Sequence, residues 1–250
     1  KKMNIKVAHV EAGIRSGDMT MPEEINRIVT DSITDYFFTT SNTATENLKM
    51  YGANPENIHF VGNVMIDTLY QNLNRISAPV FWNDYQLEQN NYVVLTLHRP
   101  SNVDEANSLI EMLKGIDEMV QGKKIIFPIH PRTKTILADN ALDLKNILFV
   151  EPQGYLNFMF LIKNSFAVIT DSGGISEETT VLKIPCFTMR NNTERPETQT
   201  IGTNTLVGTS IENLRKVYSH FIKTGQKESG IPELWDGKAS ERIVEILLKK

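Results

Sequence analysis

Short apolar runs alternate with longer segments of helical spacing along most of this 250-residue chain. Apolar runs of about four to eight residues are typical of parallel strands buried on both faces. The strand candidates are residues 5–10, 36–39, 58–61, 92–97, 124–128, 147–150, 167–170 and 186–189. The helix candidates are residues 23–32, 43–51, 63–74, 104–120, 132–140, 156–163 and 175–182. This alternation predicts an α/β fold with parallel sheets and helices on both faces.

The composition excludes several classes of protein and partner. The chain is 40% hydrophobic, which supplies enough apolar surface for a buried core and excludes a disordered chain. Its formal net charge is −4 and it has no basic stripe, so neither nucleic acid nor an anionic membrane is an expected partner. No apolar run approaches the ~18–20 residues of a spanning helix. Cys186 is the single cysteine, which predicts a reducing compartment and therefore the cytoplasm.

A domain boundary is expected within residues 76–91, which contain Pro79 and many polar residues and have weak periodicity. The block before it holds three strand candidates, which is few for a domain. The block at about 92–210 holds four clear strand–helix units, the length of a complete doubly wound domain. A final helix is expected at 239–248.

The strongest local signal follows the strand at 167–170, where Asp171 and Ser172 lead through Gly173 and Gly174 into a helix. The unpaired N–H groups of a helix start favour an anion, and glycine lets the backbone approach a phosphate closely. A turn capped by Asp171 or Ser172, without any ligand, explains the same residues. The spacing matches neither a dinucleotide fingerprint nor a Walker loop, which disfavours NAD and ATP. Glu178, deeper in this helix, either accepts sugar hydroxyls or lies on a solvated face.

Other polar residues follow strands, where the ligand sites of α/β proteins form. Glu11 follows the first strand and His98-Arg99 the fourth; His130 follows the next, and Arg190 and Arg195 the last. Imidazole suits proton transfer near neutrality, and guanidinium groups pair well with phosphate oxygens. Surface carboxylates and solvated, salt-bridged loops are the alternative explanation.

Further positions have both a structural and a functional interpretation. Glu23 lies in the first turn of a helix, where compensation of the helix dipole explains an acid without any chemistry. Gln153 follows the strand at 147–150, and the nearby Tyr155 and Phe158 either stack on a planar base or belong to the helix core.

The five histidines lack metal-ligand spacing, so no metal is expected.

Eight short motifs occur in a fixed order, and together they resemble one family, the non-hydrolysing UDP-N-acetylglucosamine 2-epimerases. The motifs are HVEAGIRSGD (9–18), PEEINR (22–27), LHRPSNVD (97–104), PIHPRT (128–133), EPQGYLNF (151–158), TDSGGISEE (170–178), RNNTERPET (190–198) and GTNTLVG (202–208). Each is modest alone, but the ordered set is specific.

The resemblance implies a glycosyltransferase-B fold, in which two Rossmann-like domains face each other across a cleft. The implied domains are 1–75, the C-terminal part of the first; 76–235, the UDP-binding domain; and 236–250, a helix that returns to the first. The resemblance also implies a reaction, the inversion of C2 between UDP-GlcNAc and UDP-ManNAc by elimination and re-addition of UDP. It implies no cofactor, and it implies a homodimer.

The resemblance also assigns roles residue by residue. Glu11, Glu23 and His98 match the acid/base and sugar-contacting positions. Gln153 and Phe158 match positions around uracil, and Arg195 matches another nucleotide-binding position. Phosphate and ribose contacts are expected from Ser172, Gly173, Gly174 and Glu178. Arg99, His130 and Arg190 are not assigned by the resemblance, but their positions after strands add them to the expected UDP-sugar site.

In the family, the first domain begins earlier than this chain does. The first domain of this chain is therefore expected to lack its opening strands, and the resemblance leaves alternatives open. A fragment of this kind is expected to bind a UDP-sugar without turnover. A 2-epimerase of a UDP-diacetamido sugar for surface polysaccharide, or a hydrolysing relative that releases UDP, would have a similar sequence.

Overall fold

The structure, a computed structural model, describes residues 1–103, 105–120, 122–129, 131–138 and 143–249. The strands are β1 (Ala8–Val10), β2 (Tyr36–Thr39), β3 (Ile58–Phe60), β4 (Tyr92–Thr96), β5 (Lys124–Pro128), β6 (Ile147–Val150), β7 (Ala167–Thr170), β8 (Cys186–Thr188) and β9 (Asn204–Leu206). The helices are α1 (Pro22–Ser32), α2 (Asn42–Met50), α3 (Val64–Asn72), α4 (Phe81–Asp84), α5 (Pro100–Val103), α6 (Ala106–Met119), α7 (Pro131–Ala138), α8 (Tyr155–Lys163), α9 (Gly173–Leu182), α10 (Pro196–Thr200), α11 (Ile211–Thr224) and α12 (Ala239–Leu247).

The chain divides into two compact units. The first comprises Lys1–Leu73, Thr193–Gly202 and Ile231–Lys250, and the second comprises Asn74–Asn192 and Thr203–Gly230. These limits differ from the predicted ones, because 193–202 and 231–235 lie in the first unit. Sequence pattern marks where a linker is polar, whereas membership of a unit depends on which surface a segment packs against.

The first unit has a three-stranded parallel sheet in the order β1-β2-β3. Successive side chains of β2 point to opposite faces. Phe37 packs with Leu48 of α2 on one face, and Phe38 packs with Ile243 of α12 on the other. The sheet is therefore covered by one helix from early in the chain and by one from its end.

The C-terminal segment is attached to the first unit by buried groups. Trp235 is 1% exposed, and its indole Nε1 donates to the backbone oxygen of Thr40 at 3.0 Å. The buried carboxylate of Asp67 accepts from the backbone N–H groups of Ala239 at 3.0 Å and Ser240 at 2.6 Å. These bonds satisfy donors at the start of α12 that no helical carbonyl can reach.

The second unit has a six-stranded parallel sheet in the order β6-β5-β4-β7-β8-β9. Numbered from β4, this is the 3-2-1-4-5-6 order of a Rossmann fold. The core lies between the sheet and a layer that includes α6 and α11. The strand order reverses between β4 and β7, and a crevice for ligands forms beyond the carboxyl ends of strands at such a point. The sheets confirm the predicted α/β class with Rossmann-like topology.

In the second unit, β9, α11 and the short helices α4 and α5 escaped prediction, and one strand of the first unit was predicted too long. β9 has only three residues, of which Asn204 and Thr205 are polar, so it lacks an apolar signature. The strongly amphipathic α11 follows it. β1 begins at Ala8 rather than at residue 5. In the part of the chain that the structure describes, no helix is both long enough and apolar enough to cross a membrane.

Candidate functional site

The carboxyl edge of the second sheet carries most of the predicted nucleotide-binding residues. His98 follows β4, Gln153 follows β6, Ser172 follows β7 and Arg190 follows β8. Because all six strands are parallel, these positions share one edge of the sheet. His130, predicted at the end of β5, lies outside the described residues.

His98 is paired with a buried carboxylate. Its Nδ1 lies 2.7 Å from Oδ1 of Asp171, which is fully buried, while 60% of the His98 side chain is exposed. Adjacent strands create this contact: β4 pairs with β7, and Thr96 is opposite Thr170. The two residues that follow the strands therefore meet. An imidazole held at one nitrogen and open elsewhere is suited to exchanging a proton with a ligand.

Asp171, which the sequence predicts only as a helix cap, is the buried partner of His98. Its carboxylate also accepts from the backbone N–H of His98 at 3.0 Å, from that of Arg99 at 2.9 Å and from Nδ2 of Asn102 at 3.0 Å. Burial alone would raise the pKa of Asp171, but the hydrogen bonds from His98, Arg99 and Asn102 hold it below its ordinary value. Its position after a strand, like that of His98, was a signal that could have identified it.

The start of α9 is open for an anion. Ser172 occupies the N-cap position but its side chain makes no capping bond, and the Asp171 carboxylate faces the loop after β4, so neither caps the helix as predicted. Neither Gly173 nor Gly174 has a positive φ. A Cβ on Gly174 would meet nothing within 4 Å among the described residues. The fold itself therefore does not require glycine there, whereas a phosphate seated on the N–H groups would.

Glu178 lies on the same helix and is 4% exposed. Burial raises the pKa of Glu178 to about 7, and a hydrogen bond with Tyr155 opposes that rise. Tyr155 therefore pairs with Glu178, which is neither of the two roles that its sequence predicted. A buried carboxylate that is partly protonated at neutral pH gains free energy from hydroxyl donors, such as those of a ribose.

The other predicted residues of this unit are held by local bonds. Gln153 donates through Nε2 to the Glu151 carbonyl at 2.7 Å. Phe158 is half-buried on α8. Arg99 donates through Nε to the Asp171 carbonyl at 3.0 Å. Arg190 is 3% exposed and donates to Oδ1 of Asn192 at 3.3 Å.

In the first unit, Glu11 and Arg195 form an ion pair. Oε2 of Glu11 lies 3.2 Å from a terminal nitrogen of Arg195, and the two side chains are 27% and 10% exposed. Residues 184 positions apart in the sequence are thus neighbours in space. Glu11 also has φ +64°, a left-handed conformation that costs a residue with a Cβ about 1–2 kcal/mol. Strain of this kind concentrates at functional sites.

The two adjacent acids of α1 have different environments. Glu23 is exposed, whereas Glu24 is 2% exposed and accepts from the backbone N–H of Ser16 at 2.8 Å and of Gly17 at 3.0 Å. Burial would raise the pKa of Glu24, but the bonds from Ser16 and Gly17 lower it below its ordinary value. Glu24 therefore holds the loop after Glu11 in place, and Glu23 remains accessible to a ligand.

A second carboxylate supports the same loop. Asp31 at the end of α1 lies 2.6 Å from Nδ1 of His9 and 2.6 Å from a guanidinium nitrogen of Arg15. It also accepts from the backbone N–H of Gly13 at 3.3 Å. Burial opposes ionisation of Asp31, yet the bonds from His9 and Arg15 lower its pKa. The chain on both sides of Glu11 is therefore fixed by buried ionised groups.

A cavity of about 530 Å³ lies apart from these residues, between β8, β9 and α11, and none of the predicted site residues lines it. Among the described residues, no group of three or more His, Cys, Asp or Glu side chains is placed to hold a metal ion.

The chain is similar to known sugar-nucleotide epimerases over its full length. The family model described as UDP-N-acetylglucosamine 2-epimerase matches residues 1–248. The Methanocaldococcus jannaschii UDP-N-acetylglucosamine 2-epimerase is 44% identical over 98% of this chain and 69% of its own length. The Pseudomonas aeruginosa UDP-2,3-diacetamido-2,3-dideoxy-D-glucuronate 2-epimerase is 36% identical over 99% of this chain and 69% of its own. A crystal structure of the M. jannaschii enzyme with UDP-GlcNAc and UDP superposes with a TM-score of 0.86 at 42% identity, covering 100% of this chain and 70% of that one.

Proposed function

This chain belongs to the UDP-N-acetylglucosamine 2-epimerase family, and we propose that it inverts C2 of a UDP-N-acetylhexosamine, interconverting UDP-GlcNAc and UDP-ManNAc. The family match over residues 1–248 supports the reaction class. The local observation that carries the proposal is the open start of α9, which follows β7 beside the His98–Asp171 pair. A helix N-terminus is suited to bind the diphosphate of such a substrate.

The second unit supplies the nucleotide contacts in this proposal. The N–H groups at the start of α9 bind the diphosphate, and their partial positive charge stabilises UDP as it departs. Glu178 accepts the ribose hydroxyls, and Gln153 and Phe158 contact uracil. Arg99 and Arg190 add positive charge at the same sheet edge. His98 exchanges a proton with the sugar or with the leaving group.

The first unit supplies the carboxylates. In the elimination step a base removes the C2 proton, the C2 electron pair forms the C1–C2 double bond, and the C1–O bond breaks to release UDP. Re-addition of UDP and return of a proton to the opposite face of C2 give the epimer. Glu11 and Glu23 are the proposed proton carriers, and Arg195 lies beside Glu11, 3.2 Å from its Oε2.

Two substitutions test the reaction. We expect Glu11→Gln and His98→Asn to slow epimerisation by about 10²–10⁴-fold, the usual contribution of a positioned acid or base. Incorporation of solvent deuterium at C2 should fall in parallel, while calorimetry with UDP should show little change for Glu11→Gln. Wild-type rates in both variants would refute the assignment.

A second substrate deserves the same assay, because the P. aeruginosa relative carries the name of a UDP-diacetamido-glucuronate 2-epimerase. Turnover of a UDP-2,3-diacetamido uronic acid at a higher kcat/KM than UDP-GlcNAc would identify this chain with that alternative. Release of free UDP in stoichiometric amounts would instead indicate hydrolysis.

The resemblance to the family also supports a homodimer, and the single cysteine, Cys186, supports a location in the cytoplasm. Burial raises the pKa of the free thiol of Cys186 to about 11, so this cysteine stays protonated and unreactive. Light scattering on the purified protein would test the dimer by its mass.

A further inference from the structure

We propose that Asp171 is the positioning residue of His98: its carboxylate keeps the proton of the neutral imidazole on Nδ1 and leaves Nε2 as the atom that exchanges a proton with the substrate. The catalytic part of this inference rests on the proposed function. The tautomer, in contrast, is a property of the protein itself and can be measured without turnover.

The geometry assigns the proton. An ionised carboxylate only accepts hydrogen bonds, so an imidazole nitrogen 2.7 Å from Oδ1 of Asp171 must carry a proton. Because the neutral ring holds one proton, Nε2 is then the basic atom. Among the described residues, Nε2 of His98 has no hydrogen-bond partner, and most of the side chain is exposed. The basic nitrogen therefore remains available for a ligand.

The carboxylate is held in this orientation by other donors. Oδ2 of Asp171 accepts from the backbone N–H of Arg99 at 2.9 Å and from Nδ2 of Asn102 at 3.0 Å. The backbone N–H of His98 is shared, but it lies nearer to Oδ2, at 3.0 Å, than to Oδ1, at 3.2 Å. Two of these donors belong to the backbone and cannot reverse their polarity. Oδ2 must therefore remain an acceptor, and Oδ1 is the oxygen presented to the imidazole.

This arrangement predicts a specific consequence of Asp171→Asn. The two backbone N–H groups attract the new amide oxygen to the Oδ2 position, which places the amide NH₂ where Oδ1 was. The NH₂ then donates to Nδ1 of His98, so the neutral ring must carry its proton on Nε2. An Nε2 that already bears a proton cannot act as a base. The substitution thus reverses the tautomer while preserving volume and most hydrogen bonds.

Asp117 offers a matched control in the same unit. It is also a buried aspartate, 6% exposed, and it accepts from the backbone N–H groups of Asn146 at 2.7 Å and Ile147 at 3.1 Å. These residues are at the amino end of β6, the opposite edge of the sheet from His98. Asp117→Asn therefore makes the same chemical change in a loop-holding carboxylate without touching His98.

The test is ¹⁵N-detected NMR of the histidine rings, with the His98 signals identified by their loss in His98→Asn. In the wild type and in Asp117→Asn, we expect the neutral His98 ring to be protonated at Nδ1. In Asp171→Asn, we expect it to be protonated at Nε2. Protonation at Nε2 in the wild type, or an unchanged tautomer in Asp171→Asn, would overturn the proposal.

Kinetics separate this role from the proposed function. With UDP-GlcNAc we expect Asp171→Asn to lower kcat by about 10²–10⁴-fold with KM changed by less than threefold, and Asp117→Asn to keep the wild-type kcat. An equal loss of kcat in the two variants would mean that Asp171 acts only through stability and would count against the proposal. The predicted tautomers without turnover of any UDP-sugar would support the positioning role and contradict the epimerase assignment.

Discussion

Glu11 combines a chemical role with an unfavourable backbone. Its carboxylate faces Arg195, and its φ of +64° is a conformation that glycine adopts more readily than a residue with a Cβ. The surrounding loop tolerates this strain because Glu24 and Asp31 anchor it through the backbone N–H groups of Ser16, Gly17 and Gly13. The free energy stored at Glu11 is therefore offset by neighbouring hydrogen bonds.

We predict that Glu11→Gly is more stable than Glu11→Ala by up to about 1 kcal/mol, the reverse of the usual order, because only alanine must place a Cβ in the left-handed region. Both variants lose the ion pair equally, so their difference isolates the backbone. Glu23 on α1 is the control, since there the alanine variant should be the more stable one by about 1 kcal/mol. Denaturant unfolding gives both differences; the same order at the two positions would contradict the prediction.

Glu178 should make stability depend on pH. Burial raises its pKa to about 7 in the folded protein, above its ordinary value of 4.5. The folded state therefore holds a proton that the unfolded state has lost, and stability falls as pH rises from about 4.5 to 7, by up to about 3 kcal/mol.

Glu178→Gln should remove the fall in stability with rising pH. The free energy of unfolding of the variant minus that of the wild type should therefore increase from pH 5 to pH 8. Glu118→Gln, at a side chain that is 70% exposed, should give a curve parallel to the wild type. Parallel curves for Glu178→Gln and the wild type would show that Glu178 does not titrate in this range.

Sequence reasoning identified residues that follow strands but not the partners that hold them. Glu11, His98 and Ser172 were found because a polar residue directly after an apolar run is visible locally. Asp171 was interpreted as a helix cap, and its bond to His98 spans 73 positions. Which of two adjacent acids, Glu23 or Glu24, is buried also depends on the loop that α1 packs against.

At the scale of elements, α6 and α9 show two reasons for a glycine in a helix. A Cβ on Gly115 of α6 would lie 2.4 Å from Cγ1 of Ile211 on α11, so packing between the two helices requires glycine. A Cβ on Gly174 of α9 would meet nothing among the described residues. Packing among the described residues therefore does not explain Gly174, whereas the proposed diphosphate contact would.

We predict that Gly174→Ala keeps the stability of the wild type but weakens UDP binding, because the added methyl group occupies space that the diphosphate needs. Gly115→Ala should do the opposite, losing about 1–3 kcal/mol of stability from overpacking while keeping the Kd for UDP. Calorimetry and denaturant unfolding measure the two effects. Unchanged UDP affinity in Gly174→Ala would remove the main local support for a phosphate site at α9.

At the scale of the whole molecule, the two tryptophans of the chain report on different units. Trp235 is buried in the first unit, and Trp82 packs edge-to-face against Tyr92 in the second. Each unit thus carries its own fluorescence probe, which can be isolated by replacing the other tryptophan with phenylalanine.

We predict that Asp67→Ala lowers the stability reported by Trp235 by about 1–3 kcal/mol, because it leaves the buried N–H group of Ala239 and the N–H group of Ser240 without their acceptor. Unfolding is followed by Trp235 fluorescence in a Trp82→Phe background and by Trp82 fluorescence in a Trp235→Phe background. The transition reported by Trp82 should move less; equal shifts of both would show that the two units unfold as one.

The sequence by itself determined the α/β class, the position of most strands and the ordered motifs that the family match later supported, since burial and periodicity are written into short stretches of chain. Only the tertiary structure decided that β9 completes the second sheet, that 193–202 and 231–235 join the first unit, and that Asp171 orients His98. Local pattern fixes the period and the apolar face of an element, whereas strand neighbours and hydrogen-bond partners are chosen by packing between residues far apart in the chain.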